Sequence, residues 1–63
     1  MLTEKIREFY SDKTEHTNTE LYDYLDAQTE EERHNIRGLQ QTLKRQEFLI
    51  NTRNSAWMMN PEY

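Results

Sequence analysis

Two S/T-x-x-E sequences twelve residues apart, Thr17-Asn18-Thr19-Glu20 and Thr29-Glu30-Glu31-Glu32, fix where two helices of this chain begin. In such a capping box the hydroxyl and the carboxylate each satisfy a backbone N–H that has no partner inside the helix. Starts so close together leave room only for a short helix, a tight turn and a new helix. The spacing therefore predicts helix 2 over about residues 18–28, with Leu21, Tyr24 and Leu25 on its apolar side and Tyr22 as a further candidate. Helix 3 then runs over about 30–46, with Ile36, Leu39 and Leu43 as its buried line at i, i+3 and i+7.

Around this pair the remaining apolar residues fall into three groups. Leu2, Ile6, Phe9 and Tyr10 recur at helical spacing and predict helix 1 over about 2–13, with Thr3 as a candidate N-cap. Thr14 to Asn18 has no periodicity and is expected to be a connection. Phe48-Leu49-Ile50 and Ala56-Trp57-Met58-Met59 are short apolar runs separated by the turn-prone Asn51-Thr52-Arg53-Asn54-Ser55, and Asn60-Pro61 follows. They are expected to pair as a hairpin within 48–59, with Trp57 packing against the helices.

Sixty-three residues, 33% of them hydrophobic and 32% charged, are expected to make one domain (1–63) with one small core, since a chain of this size buries only roughly 60% of its unfolded surface. There is no cysteine, so neither disulfides nor thiolate metal sites can reinforce it. No apolar run approaches the ~20 residues that span a bilayer, and the first residues lack the apolar stretch of a signal peptide. A cytoplasmic protein without membrane attachment is the expectation. The net charge of -4 is unevenly spread. Residues 1–32 hold ten acids against three bases, a net of -7, and residues 33–63 hold five bases against two acids, a net of +3. A basic half beside an acidic one points the second half toward a polyanion.

At 100° per residue, helix 3 places Ile36, Leu39 and Leu43 on one side and His34, Arg37, Gly38, Gln41 and Arg45 on the other. Arginine reads guanine edges and glutamine adenine edges by paired hydrogen bonds, and Gly38 lets the backbone approach a groove wall or a phosphate. The macrodipole accounts for Glu30, Glu31 and Glu32 at the start of the helix and for Lys44 and Arg45 at its end. It does not account for Arg33 and Arg37, like charges at i,i+4 with no acidic partner further along the helix. Glu30 lies near the same face and opposes a phosphate there.

Three helices followed by a hairpin, with Ile36-x-x-Leu39-x-x-x-Leu43 leading into Phe48-Leu49-Ile50, resemble a winged helix-turn-helix domain over nearly the whole chain. The resemblance implies a mainly α fold with a small β-hairpin as a short wing, and a third helix that enters the major groove of double-stranded DNA. His34, Arg37, Gln41 and Arg45 would then face bases or phosphates, Arg33 and Lys44 would contact the DNA backbone, and Arg53 at the wing tip would reach a phosphate or the minor groove. The sequence departs from the family where a glycine commonly follows the recognition helix, since Glu47 stands there and has either to take a left-handed backbone at some cost or to let the turn shift. The family's strand between helices 1 and 2 is also not evident.

So few contacts imply a homodimer on two half-sites about one helical turn apart. The competing reading is a small interaction module or inhibitor whose acidic first half docks on a basic surface of a protein partner. Nothing suggests catalysis or a cofactor: there is no phosphate-binding glycine loop and no nucleophile beside a base. Asp23, Asp26 and Glu30 have the pattern of solvated carboxylates near helix ends. Asp12-x-x-x-His16-x-x-x-Glu20 is the one stretch with ligand-like spacing, and the connection it crosses is expected to keep the three apart.

Overall fold

The computed structural model describes residues 1–63, arranged as α1 (Leu2–Tyr10), β1 (His16–Thr17), α2 (Asn18–Leu25), α3 (Glu30–Arg45), β2 (Leu49–Arg53) and β3 (Ala56–Met59). The three strands form one antiparallel sheet in the order β1-β3-β2. The helix-plus-hairpin layout expected from the sequence is present, with one strand more than expected, so the fold is a mixed one of three helices and a small sheet.

α1 stops at Tyr10 rather than near Lys13 because short side chains take over the backbone bonding. The Ser11 hydroxyl donates to the Glu8 carbonyl at 2.6 Å, the Asp12 carboxylate accepts from the Thr14 N–H at 3.0 Å, and Lys13 turns left-handed at φ 63°. These local bonds compete with the helical ladder. The helix begins at Leu2 as expected, but Met1 rather than Thr3 is its N-cap, with no side-chain bond, and Thr3 lies inside the helix.

Residues 11–15 turn the chain back onto the sheet. His16 pairs with Trp57 and Thr17 with Ala56. A two-residue strand has no period to read, and its partner is some forty residues away, so the sequence did not reveal it. Thr17 then changes role: its hydroxyl accepts from the Glu20 N–H and the Glu20 carboxylate accepts from the Thr17 N–H, a complete capping box that starts α2. At Thr29 half of the box forms. The hydroxyl accepts from the Glu32 N–H at 3.2 Å, and Glu32 returns no bond.

α2 and α3 both end on a left-handed residue that is not glycine, which is why α2 stops at Leu25 rather than near residue 28. After α2, Asp26 has φ 55°, with Asp26 N–H donating to Asp23 and Ala27 N–H to Tyr22. After α3, Glu47 has φ 65°, with Glu47 N–H donating to Lys44 and Phe48 N–H to Leu43. Both are Schellman closures, in which the left-handed residue normally wants to be glycine. At Glu47 the structure takes the strained option and keeps the turn in place. Glu47→Gly is therefore expected to stabilise the domain by about 1 kcal/mol, read as a rise in Tm with an unchanged circular dichroism spectrum.

The core lies between α1, α3 and the inner face of the sheet. Ile6 and Tyr10 enter from α1, Leu21 from α2 and Ala27 from the turn after it; Ile36 and Leu43 enter from α3, and Phe48, Leu49 and Trp57 come from the hairpin. The buried line of α3 differs from expectation. Leu39 is half-buried, and the fully enclosed position between Ile36 and Leu43 is Gln40, 1% exposed. Its side-chain N–H groups donate to the Tyr10 hydroxyl at 3.1 Å and to the Asn18 side-chain carbonyl at 3.0 Å. Burial, only partly offset by the Gln40 bond, pushes the Tyr10 hydroxyl up to about 12.

The hairpin is longer than expected on its first side. β2 reaches Arg53 through a bulge between Asn51 and Arg53, and the Asn51 amide closes it by donating to the Arg53 and Ala56 carbonyls at 2.8 and 2.7 Å. Asn54 and Ser55 make the turn, with Ser55 at φ 61°.

Candidate nucleic-acid interface

α3 is held by its buried line and by its first turn, and it presents its other side to solvent. His34, Gly38, Gln41 and Arg45 fall within an arc of roughly 60° on that side, at 100° per residue. His34, Gln41, Lys44 and Arg45 are all exposed, and none of their side chains bonds to another protein group. A Cβ added at Gly38 would meet nothing within 4 Å. No packing in the protein thus requires glycine there, although it costs about 1 kcal/mol in a helix relative to alanine.

The other three expected contact residues are engaged within the protein. Arg33 donates to the Ala27 carbonyl at 3.2 Å, and its guanidinium lies over the Tyr22 ring at 5.2 Å. It pins the α2–α3 turn. Arg37 has an acidic partner after all, one that precedes it by two turns: it donates to the Glu30 carboxylate at 2.7 Å and to the Tyr22 hydroxyl at 3.2 Å. The Glu30 carboxyl is held below its ordinary range, first by the Arg37 hydrogen bond and then by its charge. Arg53 is near the hairpin tip, where it donates at 2.7 Å to Glu15 from the connection before β1. Thr52 bonds the same carboxylate and is the larger cause of its lowered pKa, with Arg53 adding to it. Glu30 was flagged by its place on the wheel; Glu15 had no signal in the sequence.

Between α3 and the hairpin lies a notch of about 230 Å³, lined by Asn18, Arg37, Gln40, Gln41, Asn51, Asn54, Ser55 and Trp57. Sequence reading singled out only Arg37 and Gln41 of these as contact residues. The others come from α2, α3, both strands of the hairpin and its turn, and only the fold brings them together.

Asp12, His16 and Glu20 also come together, contrary to expectation. The turn at Lys13 brings Asp12 to the His16 Nε2 at 2.8 Å, and the capping glutamate Glu20 reaches Nδ1 at 3.2 Å. The ring lies against Phe9 with centroids 4.5 Å apart. Both nitrogens are engaged by carboxylates, and no group of three or more such side chains is arranged to hold a metal ion. Burial disfavours the imidazolium, but the bonds to Asp12 and Glu20 outweigh it and raise the His16 pKa above its ordinary value. Asp12 is lowered by the Thr14 N–H and then by His16, and Glu20 by the Thr17 N–H and then by His16.

The signs set a stability window. The His16 contribution is full below its unfolded pKa, near 6.5, and is lost as pH rises through the higher folded value. The Asp12 and Glu20 contributions are present above their unfolded values, near 4, and are lost as pH falls below them. The Tm difference between wild type and His16→Gln should be largest at about pH 5–6.5 and shrink toward pH 8. A difference that stays constant over that range would remove the imidazolium from the account.

No helix is long and apolar enough to cross a membrane. The molecule belongs to the class of small mixed domains in which three helices pack on a three-stranded antiparallel sheet. No protein-family model, curated protein or solved structure matches the chain at a significant level.

Proposed function

We propose that this chain is a sequence-specific DNA-binding protein of the winged-helix type, a transcriptional regulator that acts by occupying DNA with α3 in the major groove. The observation that carries the reading is the outer face of α3, where His34, Gln41, Lys44 and Arg45 have no partner in the protein and Gly38 has no packing reason to be glycine. The element order, with a strand between α1 and α2 and a sheet ordered β1-β3-β2, supports the same reading. Arg33 positions the helix. Arg37 and Arg53 exchange Glu30 and Glu15 for phosphate on binding, an exchange made cheap because solvent-exposed ion pairs contribute little. A homodimer supplies the contacts that a single module of this size lacks.

The test is salt-titrated binding to a randomised duplex pool. Gln41→Ala should cost ~1–3 kcal/mol on the enriched site and relax preference there. Arg45→Ala should weaken all sequences about equally and lower the salt slope by about one. Gly38→Ala should raise Tm while weakening the complex, and Glu15→Gln should strengthen it by freeing Arg53. Failure to enrich any sequence, with no salt-dependent retention on heparin, would defeat the proposal. It would favour the second reading, an acidic interaction module or inhibitor docking on a basic protein surface, which the pairing of Arg37 and Arg53 with carboxylates supports.

A further inference from the structure

We infer that the notch between α3 and the hairpin is a seat for a phosphate oxyanion, supplied by the DNA backbone where it crosses from α3 to the hairpin; this rests on the DNA-binding reading above. Three observations carry it.

The first is charge. The two larger concavities of the molecule both contain carboxylates, Glu47 and Glu62 in one and Glu8 and Asp26 in the other. The notch contains none, and its one charged group is Arg37. An anion entering it meets neutral dipoles and the Arg37 guanidinium, which it would take over from Glu30, its partner at 2.7 Å outside the lining.

The second is an excess of donors. The Trp57 indole N–H donates to no protein group, and the only buried side-chain nitrogen or oxygen without a partner is the Arg7 Nε. The indole N–H is therefore not sealed from solvent, and Trp57 is one of the residues that line the notch. The amides of Gln41 and Asn54 and the Ser55 hydroxyl likewise have no partner in the protein. Serine, asparagine, glutamine and arginine side chains are among the groups that bond phosphate oxygens in protein–DNA complexes.

The third is orientation. The Asn18 carbonyl accepts from buried Gln40, which is itself tied to Tyr10, and the Asn18 backbone N–H is anchored on the Ser55 carbonyl at 2.8 Å. With its oxygen committed to the core, Asn18 has its amide N–H groups left for the notch. Gln40 is the positioning residue: it sets which end of Asn18 is offered. A side chain fixed in advance as a donor needs no reorganisation when an anion arrives.

Trp57 is the only tryptophan, so its indole N–H cross-peak in a ¹⁵N–¹H spectrum reports on this place alone. The full chain is titrated with a short duplex at low salt and, separately, with inorganic phosphate; duplex binding is followed in parallel by anisotropy. Both ligands are expected to shift the indole peak, phosphate at millimolar concentration. Asn18→Asp keeps the acceptor for Gln40 and replaces the N–H groups with a carboxylate oxygen. It should weaken both ligands at least tenfold, whereas Asn35→Asp, which adds the same charge on the far side of α3, should not. Asn54→Ala should weaken them by roughly threefold to tenfold, the range for loss of one hydrogen bond.

A duplex that binds without moving the indole peak, and with equal affinity for Asn18→Asp and Asn35→Asp, overturns the notch and leaves the DNA reading standing. A phosphate-dependent shift without duplex binding keeps the notch as a seat for free phosphate and overturns the DNA reading. No shift with either ligand and no duplex binding overturns both.

Discussion

Leu43→Ala should lower the stability of this domain by about 2–5 kcal/mol, and Leu39→Ala, three to four residues from two core positions on the same helix, by clearly less, about 1–2 kcal/mol. Leu43 is fully enclosed among residues of α1, α2 and the hairpin, whereas Leu39 only borders that cluster. Deleting methylenes costs the lost transfer energy plus the cavity left behind, and solvent fills no cavity at a half-open site. Small domains have little stability to lose, so Leu43→Ala is expected to be largely unfolded at 37 °C. Urea melts of the two variants decide the point. Equal losses would mean that α3 is rotated by about one residue from the orientation described, and Gln40 would then no longer be interior.

The second large effect belongs to Gln40. Gln40→Leu fits a side chain of similar size into the same space, so packing is nearly conserved, but the Tyr10 hydroxyl and the Asn18 carbonyl both lose their donor. Tyr10 is fully buried, and a buried polar group left without a partner costs ~1–3 kcal/mol. The expected loss is in that range. Tyr10→Phe on its own should cost less, and adding it to Gln40→Leu should restore part of the stability because one orphaned group disappears. The double-mutant cycle measures this directly: strict additivity would show that the Tyr10–Gln40 bond contributes nothing to stability.

These two residues show how the chain divides between what is local and what is not. The starts of α2 and α3 were legible because a cap is a contract among four neighbouring residues: Thr17 with Glu20, and Thr29 with Glu32, form wherever the chain is free to turn. The apolar spacing of Ile36 and Leu43 and the two short apolar runs of the hairpin were legible for the same reason, since period and composition depend on nothing distant. The left-handed backbone at Glu47 was one of two options implied by the winged-helix resemblance, and the structure adopts it at φ 65°.

Where a helix stops was less legible. α1 ends at Tyr10 through the bonds of Ser11 and Asp12, and α2 ends on a left-handed Asp26; both are choices among near-equal local conformers. Strand β1 depended on β3 being already in place.

For the candidate interface the division is sharper. The sequence by itself determined that α3 has one apolar and one polar, largely basic side, that the second half of the chain is the basic one, and that Gln41, Lys44 and Arg45 sit on the exposed part. Only the tertiary structure decided which cations are free. Arg37 meets Glu30 and Arg53 meets Glu15, the latter thirty-eight residues away. It also put Gln40 rather than Leu39 inside the core and gathered Asn18, Gln41, Asn54, Ser55 and Trp57 around one notch. Charge pairing and burial depend on distance through space, and the sequence records only distance along the chain.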